Sequence, residues 1–563
     1  MSRIDQSTPV SPSFDQLYNS SGEFRKLPVN RRIVYLSMQA ILNAVIIGLF
    51  AKLLVALIAL ITNFSFYGRF SFELSAPAGN QLGWLVVLVP VAGSVLVGLM
   101  ARYGSKAIRG HGIPEAMEKI ILEDSKIPPV ITFLKPLSAA ISIGTGGPFG
   151  AEGPIIATGA AFGSLTGQSM HISAAERKII LSAGACAGMA AIFGSPLAAV
   201  LLAIELLLFE FSPRSIIPVA LACITGAGMH LLLFERTPVF AMPFIAPPTA
   251  GALCVYMLMG SLIGVIASLV SKSVYAVEDL FEKLPVHWMW WPAIGAVAVG
   301  VTGYFAPFTM GVGYENIQSL LTGAVSLKIL FALCFLKYIS WVIALGSGTS
   351  GGTLAPLFTI GGALGALMGL SILHFFPLLP INIPTAALIG MAAMFAGASR
   401  AFLTSVVFAL ETTGQVNGLL PLMGACAAAY FVSFFLMEGS IMTEKINRRG
   451  VQTPDSYEPD VLQTINVAQL VTGTPVDGEN MPYVYMQDDA GLAAEMMGKY
   501  NQDTLLVLEN KRSRTPIGVI TATSLLEFYS GQKQKDHRYD SPGRTRRLMV
   551  QGRKLVKRMR KQE

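Results

Sequence analysis

The sequence predicts a mostly α-helical, polytopic membrane protein built from two related halves, followed by a small cytoplasmic α/β domain. Three observations support this fold class. The 563-residue chain is 53% hydrophobic and only 13% charged, with a mean hydropathy of +0.56, whereas soluble globular proteins are about a quarter charged. A glycine-rich stretch recurs 202 positions further along the chain. After residue 448 the sequence becomes polar and then shows strand and helix patterns of a soluble domain.

Five apolar runs are long enough, or nearly so, to cross a bilayer, and these are 33–61, 84–99, 252–270, 288–304 and 419–437. Other apolar runs are shorter or interrupted by glycine, which indicates buried, tilted or broken helices. The first thirty residues are polar, so we expect no cleavable signal. The five cysteines lack metal or disulfide spacing and are expected to be buried packing residues: Cys186, Cys223, Cys254, Cys334 and Cys426.

The duplication is visible over several segments. The stretch GTGGPFGAEGPIIATGAAFGSLTG begins at Gly144, and GSGTSGGTLAPLFTIGGALGALMG begins at Gly346. GMAAIF and GMAAMF share the same offset, whereas LAIE and FALE lie four residues further apart, which is one extra helical turn. We therefore expect two structural copies, over about 33–235 and 250–447. Interrupted helices at matching positions of two halves are typical of secondary transporters. Alternatively, the repeated glycines serve only close helix packing.

Three glycine- and proline-containing motifs predict helix starts: GHGIP (110–114), GAEGP (150–154) and GGTLAP (351–356). Helix starts carry unsatisfied N–H groups and a partial positive charge, so several that converge would form an anion site. Glu152 lies in the second motif, where its carboxylate would compete with an anion until it is protonated. An ionisable residue inside a membrane domain indicates function; the alternative is a structural acid that caps a helix.

These motifs, their order and the duplication resemble the CLC family of chloride channels and proton-coupled chloride antiporters, over about residues 33–447. The resemblance implies a homodimer with one pore per subunit and two inverted repeats with broken helices in each. It identifies Glu152 as the external gating glutamate. The anion-binding positions that it implies are His111, Gly112, Ile113, Gly150, Ala151, Gly153, Thr353, Leu354 and Met442.

The chain departs from the family pattern at three positions. His111 replaces the usual serine of the first motif, either as an anion ligand or as a histidine hydrogen-bonded to loop backbone. Met442 replaces the tyrosine of the last membrane helix, so that hydroxyl ligand is absent. Leu206 occupies the position of the inner proton glutamate of the antiporters, which is channel-like. The neighbouring Glu205 and its counterpart Glu411 are expected to be structural helix acids.

Lys135 lies seventeen residues before Glu152. It either adds positive potential near the pore or, like its repeat counterpart Lys337, has a packing or topology role. Both possibilities remain open from the sequence.

The ends of the chain are polar or basic. Residues 1–32 form an expected cytoplasmic segment, 448–463 a linker, 464–530 a cytoplasmic domain and 531–563 a basic tail. The basic residues near both ends place both termini in the cytoplasm, with a bacterial inner membrane as the expected location. The basic tail suits anionic lipid heads or topology anchoring better than nucleic acid.

The stretch PIGVITATSLLEFY resembles the closing half of a CBS module, but Ser524 replaces the ribose-binding aspartate. A dimer-contact or regulatory role is therefore preferred to nucleotide binding.

The preferred functional prediction is a glutamate-gated pathway for chloride or a similar anion, as a channel or with weak proton coupling. The alternative is a chloride/proton antiporter with a non-standard inner proton route through a group such as His111. The expected partners are chloride, protons in the antiporter alternative, membrane lipid and a second copy of the chain, without metal or other cofactors. An enzyme is not expected, because the six histidines are scattered and no nucleophile–base pair is visible.

Overall fold

The computed structural model describes residues 31–170, 172–234, 238–448, 462, 465–473, 481–510, 513 and 515–539. Residues 1–30, 449–461 and 540–563, which hold most of the predicted N-terminal segment, linker and basic tail, lie outside the described residues. The chain divides into two compact units, one that ends at Asp455 and one that begins at Ser456.

The regular elements of the first unit are all helices within its described residues, which also contain connecting loops and two isolated β-bridges. Its first half contains α1 (Arg31–Tyr67), α2 (Leu88–Tyr103), α3 (Ile113–Leu122), α4 (Ile131–Gly144), α5 (Glu152–Ser169), α6 (Ala174–Phe193), α7 (Pro196–Leu202) and α8 (Pro213–Leu233). The second half contains α9 (Ala250–Glu282), α10 (Trp291–Phe305), α11 (Tyr314–Thr322), α12 (Leu327–Phe331), α13 (Lys337–Gly346), α14 (Leu354–Phe375), α15 (Ile383–Ser399), α16 (Phe402–Thr413), α17 (Leu419–Leu436) and α18 (Glu444–Arg448). A π-helical segment, Ala203–Leu208, continues α7, and another, Ala332–Leu336, joins α12 to α13.

Seven helical segments in the described part of the chain are long and apolar enough to cross a membrane, which confirms a multi-pass membrane protein. They are Arg31–Tyr67, Gly83–Tyr103, Pro213–Leu233, Ala250–Glu282, Leu327–Gly346, Leu354–Phe375 and Val416–Leu436. Four of the five predicted runs lie in these segments. The run 288–304 instead forms a 3-10 turn and the 15-residue helix α10.

One cysteine differs from the prediction. Cys254 is exposed on α9, because that face of the long helix does not pack against the rest of the described chain, whereas the other four cysteines are buried.

The two halves contain matching helices at the spacing of the sequence repeat. Helices α4 and α13 end 202 residues apart, and α5 and α14 begin 202 residues apart. Helix α6 ends at Phe193, followed by Gly194 in the left-handed conformation (φ 60°). Its counterpart α15 continues one turn further, to Ser399, before Arg400 adopts the same conformation (φ 63°). This extra turn accounts for the four-residue shift between LAIE and FALE.

Each half also contributes a carboxylate that accepts hydrogen bonds from a helix start in the other half. Glu205 accepts hydrogen bonds from two backbone N–H groups at the start of α16 (2.8 and 2.9 Å) and from the Thr404 hydroxyl (2.6 Å). Glu411 accepts from two backbone N–H groups at the start of α7 (3.0 and 2.8 Å). Each acid therefore caps the helix of the other repeat, as two copies related by a two-fold axis would do. Both acids have the structural role that the sequence predicts.

The repeated glycines pack helices closely. A Cβ atom on Gly159 of α5 would collide with the Gly184 carbonyl of α6, and a Cβ atom on Gly361 of α14 would collide with the Gly390 carbonyl of α15. The backbones touch because no side chains separate them. For these glycines, the packing alternative is the one that the structure supports.

The second unit is a small α/β domain. Its sheet has the order β1 (Tyr483–Tyr485), β2 (Thr504–Leu508) and β3 (Pro516–Thr521), with β1 and β2 parallel and β2 and β3 antiparallel. Helices α19 (Ala490–Tyr500) and α20 (Ala522–Tyr539) follow β1 and β3. The strand and helix patterns that the sequence shows after residue 448 thus correspond to a small α/β domain. Ser524 donates its hydroxyl to the Thr521 carbonyl (2.8 Å) in the turn that starts α20.

Candidate functional site

The three predicted helix starts meet in one place, which we call the junction and define as residues 110–114, 150–154 and 351–356. The N–H of Gly110 donates to the Thr349 carbonyl (3.0 Å), and the N–H of Gly351 donates back to the Gly110 carbonyl (3.4 Å). Gly150 pairs in antiparallel fashion with Gly352, its own counterpart in the second repeat. Loops from both halves are thus hydrogen-bonded to one another.

The junction has no room for side chains between its loops. A Cβ atom on Gly153 would lie 2.7 Å from the Cα of Gly352 and would also collide with the His111 carbonyl. Helices α3, α5 and α14 begin at residues 113, 152 and 354, so three helix starts converge here. Their free N–H groups and partial positive charges favour negative charge.

Glu152 supplies a negative charge at the junction. It is fully buried, and its carboxylate folds back over Gly150, at the start of its own helix. The backbone N–H of Ala355 in α14 faces the same carboxylate. Oε1 accepts a hydrogen bond from the hydroxyl of Tyr314 (2.7 Å), whereas Oε2 has no hydrogen-bond partner within the described residues. The carboxylate therefore lies where the sequence predicts an anion.

The first motif differs from the prediction. Its backbone N–H groups at His111 and Gly112 both donate to the carboxylate of Glu115, at 3.2 and 2.5 Å, because Glu115 caps α3 from its first turn. The ammonium of Lys445 lies 3.4 Å from the same carboxylate. Two N–H groups that were expected to face an anion are thus engaged elsewhere. Ile113 is the buried first residue of α3.

The His111 side chain remains a candidate ligand. It is 5% exposed, and its Nδ1 has no hydrogen-bond partner in the part of the chain that the structure describes. Nδ1 therefore does not make the hydrogen bond to loop backbone that the alternative prediction for His111 requires. A buried polar atom without a partner requires an explanation.

Lys135 and Lys337 are both buried and support equivalent loops. Lys135 donates to two carbonyls in the loop before α3 (2.9 and 3.0 Å), and Lys337 donates to the Thr309 carbonyl in the loop before α11 (3.1 Å). Their positive charges also face Glu115 and Glu152, respectively. Each lysine therefore combines a packing role with a contribution to the local potential.

The remaining predicted positions are buried. Ala151 precedes α5, and Thr353 and Leu354 begin α14, so all three belong to the junction. Met442 is fully buried in the turn before α18, where its N–H donates to the Ser440 hydroxyl (3.2 Å). Leu206 is 4% exposed in the π-helical segment after α7, and its apolar side chain cannot carry a proton.

Tyr314 is the site residue that the sequence analysis misses. It begins α11, and the segment GVGYEN (311–316) is the counterpart of GHGIPE (110–115) at an offset of 201. Gly112 and Gly313 precede the two helices with positive φ values of 100° and 77°, which glycine adopts readily. A search that allowed the offset to change by one residue would find this fourth helix start.

An aromatic cluster surrounds Tyr314. The ring of Phe193 lies 5.8 Å from the tyrosine ring and that of Phe240 lies 6.0 Å from it, both in edge-on geometry. Phe408 packs on Phe193 (4.8 Å) and stacks on Phe358 (4.9 Å). Such apolar surroundings lower the local dielectric constant, which strengthens a hydrogen bond to a charged acceptor.

The chain is similar to a family profile and to proteins that are named as chloride transporters or channels. The family profile described as "Voltage gated chloride channel" matches residues 92–434, more than half of the chain. The H(+)/Cl(-) exchange transporter ClcA of Yersinia pestis bv. Antiqua (strain Angola) is 29% identical over 368 residues, which cover 63% of this chain and 76% of the relative. A Ralstonia nicotianae protein with a ClcB-like chloride channel name is 26% identical over 352 residues, with coverage of 62% and 82%.

A solved structure with the same fold is that of a slow cyanobacterial Cl-/H+ antiporter. It is 22% identical in sequence and superposes with a TM-score of 0.65 over 73% of this chain and 98% of that chain. At this identity the likeness concerns the fold: a mostly helical membrane protein with interrupted helices.

Proposed function

Because the chain belongs to the voltage-gated chloride channel family, we propose that it exchanges chloride or a similar small anion for protons across a membrane. The observation that carries this proposal is the buried Glu152 carboxylate, which lies on the converging helix starts where an anion would bind. The Yersinia relative is named as a proton/chloride exchanger. Anion transport in this family agrees with the sequence analysis, but these findings favour its antiporter alternative over the preferred channel.

The proposed exchange depends on competition at the junction. An ionised Glu152 occupies the helix starts and excludes a second negative charge. When the carboxyl group accepts a proton, its attraction to the helix starts weakens and an anion can take its place. Return of the carboxylate releases the proton and displaces the anion. One site thus serves both substrates in turn.

The inner proton route must differ from the family pattern, because Leu206 has no ionisable group. We propose that the imidazole of His111 takes part, both as an anion ligand and as a proton carrier. Its Nδ1 is buried without a partner among the described residues. The backbone of His111 lies beside the second motif, since a Cβ atom on Gly153 would collide with the His111 carbonyl. The charged groups that face it are Glu115, Lys135 and Lys445.

An uncoupled channel is the second candidate. The apolar side chain of Leu206 and the channel name of the Ralstonia relative favour it. In that case Glu152 opens and closes the pathway without moving a proton across the membrane.

Reconstitution in liposomes distinguishes the two. We expect the reversal potential under crossed chloride and pH gradients to shift with pH at fixed chloride. A potential that follows chloride alone would reject antiport and leave the channel. Replacing His111 with alanine should reduce proton movement more than chloride movement; equal reductions would assign His111 to the anion path alone.

The gate is tested separately by Glu152→Gln, which mimics the protonated carboxyl. We expect flux that no longer increases at acid pH, since glutamine cannot titrate. Glu123→Gln is the matched control, because Glu123 lies at an exposed helix end with Lys119 as its ion-pair partner. A wild-type pH response in Glu152→Gln would place the gate at another residue.

The assembly is also part of the proposal. We propose a homodimer in a bacterial inner membrane, with both termini cytoplasmic, anionic lipid at the basic segments and a CBS-like domain that regulates without a nucleotide cofactor. Light scattering of the detergent-solubilised protein should give twice the chain mass of 60.1 kDa. A mass of one chain would reject the dimer.

A further inference from the structure

We infer that Tyr314 is a positioning residue that holds the Glu152 carboxylate on the junction and thereby sets the pH at which transport is activated. This inference rests on the proposed role of Glu152 as the gate. It adds the phenol of Tyr314, a residue that lies outside the three sequence motifs and outside the positions inferred from the family resemblance.

The hydrogen bond between the two side chains is the first argument. The phenol hydroxyl donates to Oε1 of Glu152 at 2.7 Å, between residues 162 positions apart in the chain. A donor to a carboxylate stabilises the ionised form relative to the neutral form. Since the ionised form is the one that occupies the junction, the phenol favours the closed state of the proposed gate.

The second argument comes from the other groups that face Glu152. They are the ammonium of Lys337 on α13, the N–H of Ala355 on α14 and the backbone N–H of Glu152 itself. The ammonium already donates to the Thr309 carbonyl (3.1 Å). Among the described residues, the side-chain hydrogen bond on this carboxylate comes from Tyr314, while Lys337 contributes charge.

The third argument is that the tyrosine ring is fixed by its surroundings. Gly313 precedes α11 with a positive φ of 77°, and the ring packs against Phe193 and Phe240 at 5.8 and 6.0 Å. A ring packed against two neighbouring aromatic rings loses little further freedom when its hydroxyl binds the carboxylate. The donor is therefore in place before the carboxylate arrives.

The repeats make this arrangement asymmetric. Tyr314 corresponds to Ile113 in the first repeat, and Glu152 corresponds to Leu354 in the second. The opposite pair, Ile113 and Leu354, consists of two apolar residues, so the pairing of an acid with a phenol occurs in one direction only. The first repeat provides the gate, and the second provides the group that holds it.

The test is Tyr314→Phe in the full-length protein, with anion flux from liposomes measured as a function of pH. Loss of a hydrogen bond to a charged group should raise the pH of half-maximal flux by about one unit or more, since the carboxylate is protonated more easily. Tyr338→Phe is the matched control, because it removes a phenol hydrogen bond to Ser273 (2.8 Å) that does not involve Glu152. That control should keep the wild-type profile.

A second variant keeps the ring in place. Difluorotyrosine at position 314 has a more acidic hydroxyl and donates a stronger hydrogen bond, so the pH of half-maximal flux should decrease. An unchanged profile in both variants overturns the inference. If Glu152→Gln still abolishes the pH response in that case, the proposed gate stands and only the role of Tyr314 is rejected. The double variant Glu152→Gln/Tyr314→Phe should show the same anion flux as a function of pH as Glu152→Gln alone. If the added Tyr314→Phe change alters that pH profile, the inference is also overturned.

Discussion

Replacing Gly352 with alanine tests the contact between the two repeats at the junction. The new Cβ atom would lie 2.6 Å from the Gly150 carbonyl oxygen and 3.0 Å from the Gly153 nitrogen. Non-bonded contacts of this kind are comfortable from about 3.5 Å, so the loops must separate by roughly 0.5–0.9 Å. Both neighbours are backbone atoms, which cannot rotate away as a flexible side chain could. Overpacking of this kind costs about 1–3 kcal/mol.

The assay is thermal unfolding of the detergent-solubilised protein, followed by size-exclusion chromatography, together with flux in liposomes. We expect Gly352→Ala to lower the unfolding midpoint and to reduce anion flux, because the displaced loops carry the helix starts. Gly228→Ala on α8 is the matched control, since a Cβ atom there meets no atom within 4 Å. In a helix interior that change should be neutral or stabilising by up to about 1 kcal/mol.

The two variants give a clear test when compared. If Gly352→Ala unfolds at the wild-type midpoint and transports at the wild-type rate, the two loops are not in contact and the junction as described is wrong. If both variants lose stability equally, the effect belongs to glycine replacement in general and not to the junction.

Three other substitutions test contacts of the described residues. Glu411→Gln should destabilise the protein by about 0.5–2 kcal/mol, measured by thermal unfolding, since it weakens the cap of α7; an unchanged midpoint would show that the reciprocal cap contributes little. Lys135→Met should lower the unfolding midpoint, because two loop carbonyls lose their ammonium donor; full stability would leave Lys135 with an electrostatic role alone. Gly150→Ala should displace the Glu152 side chain and raise flux at neutral pH; unchanged flux there would mean that the carboxylate does not need to leave this position.

The sequence predicts those features that depend on composition and on local backbone chemistry. Long apolar runs identify most of the spans, and the fixed offset of 202 identifies the two halves. Motifs with glycine before and proline after mark the starts of α3, α5 and α14, because these residues favour a helix start over other local conformations. The run 288–304 is the exception, since hydropathy does not show where Trp288–Trp290 form a tight turn before α10.

The side-chain partners within the candidate site could not be predicted in this way. Which oxygen of Glu152 is bonded, and by which residue, depends on how α11 is positioned by its packing against α14 and α15. The aromatic rings that contact Tyr314 come from the end of α6 and from a loop residue, Phe240. The two hydrogen bonds that Glu115 accepts from backbone N–H groups likewise depend on the fold of the first motif. The position of Glu115 in the first turn of α3 permits this cap but does not require it.

The sequence by itself determined that this is a duplicated membrane protein with an acid among converging helix starts. That information is local, because glycine, proline and apolar periodicity act within a few residues of chain. The tertiary structure alone decided that a tyrosine from the second repeat holds the acid of the first. A hydrogen bond between residues 162 positions apart exists only after the two halves have packed.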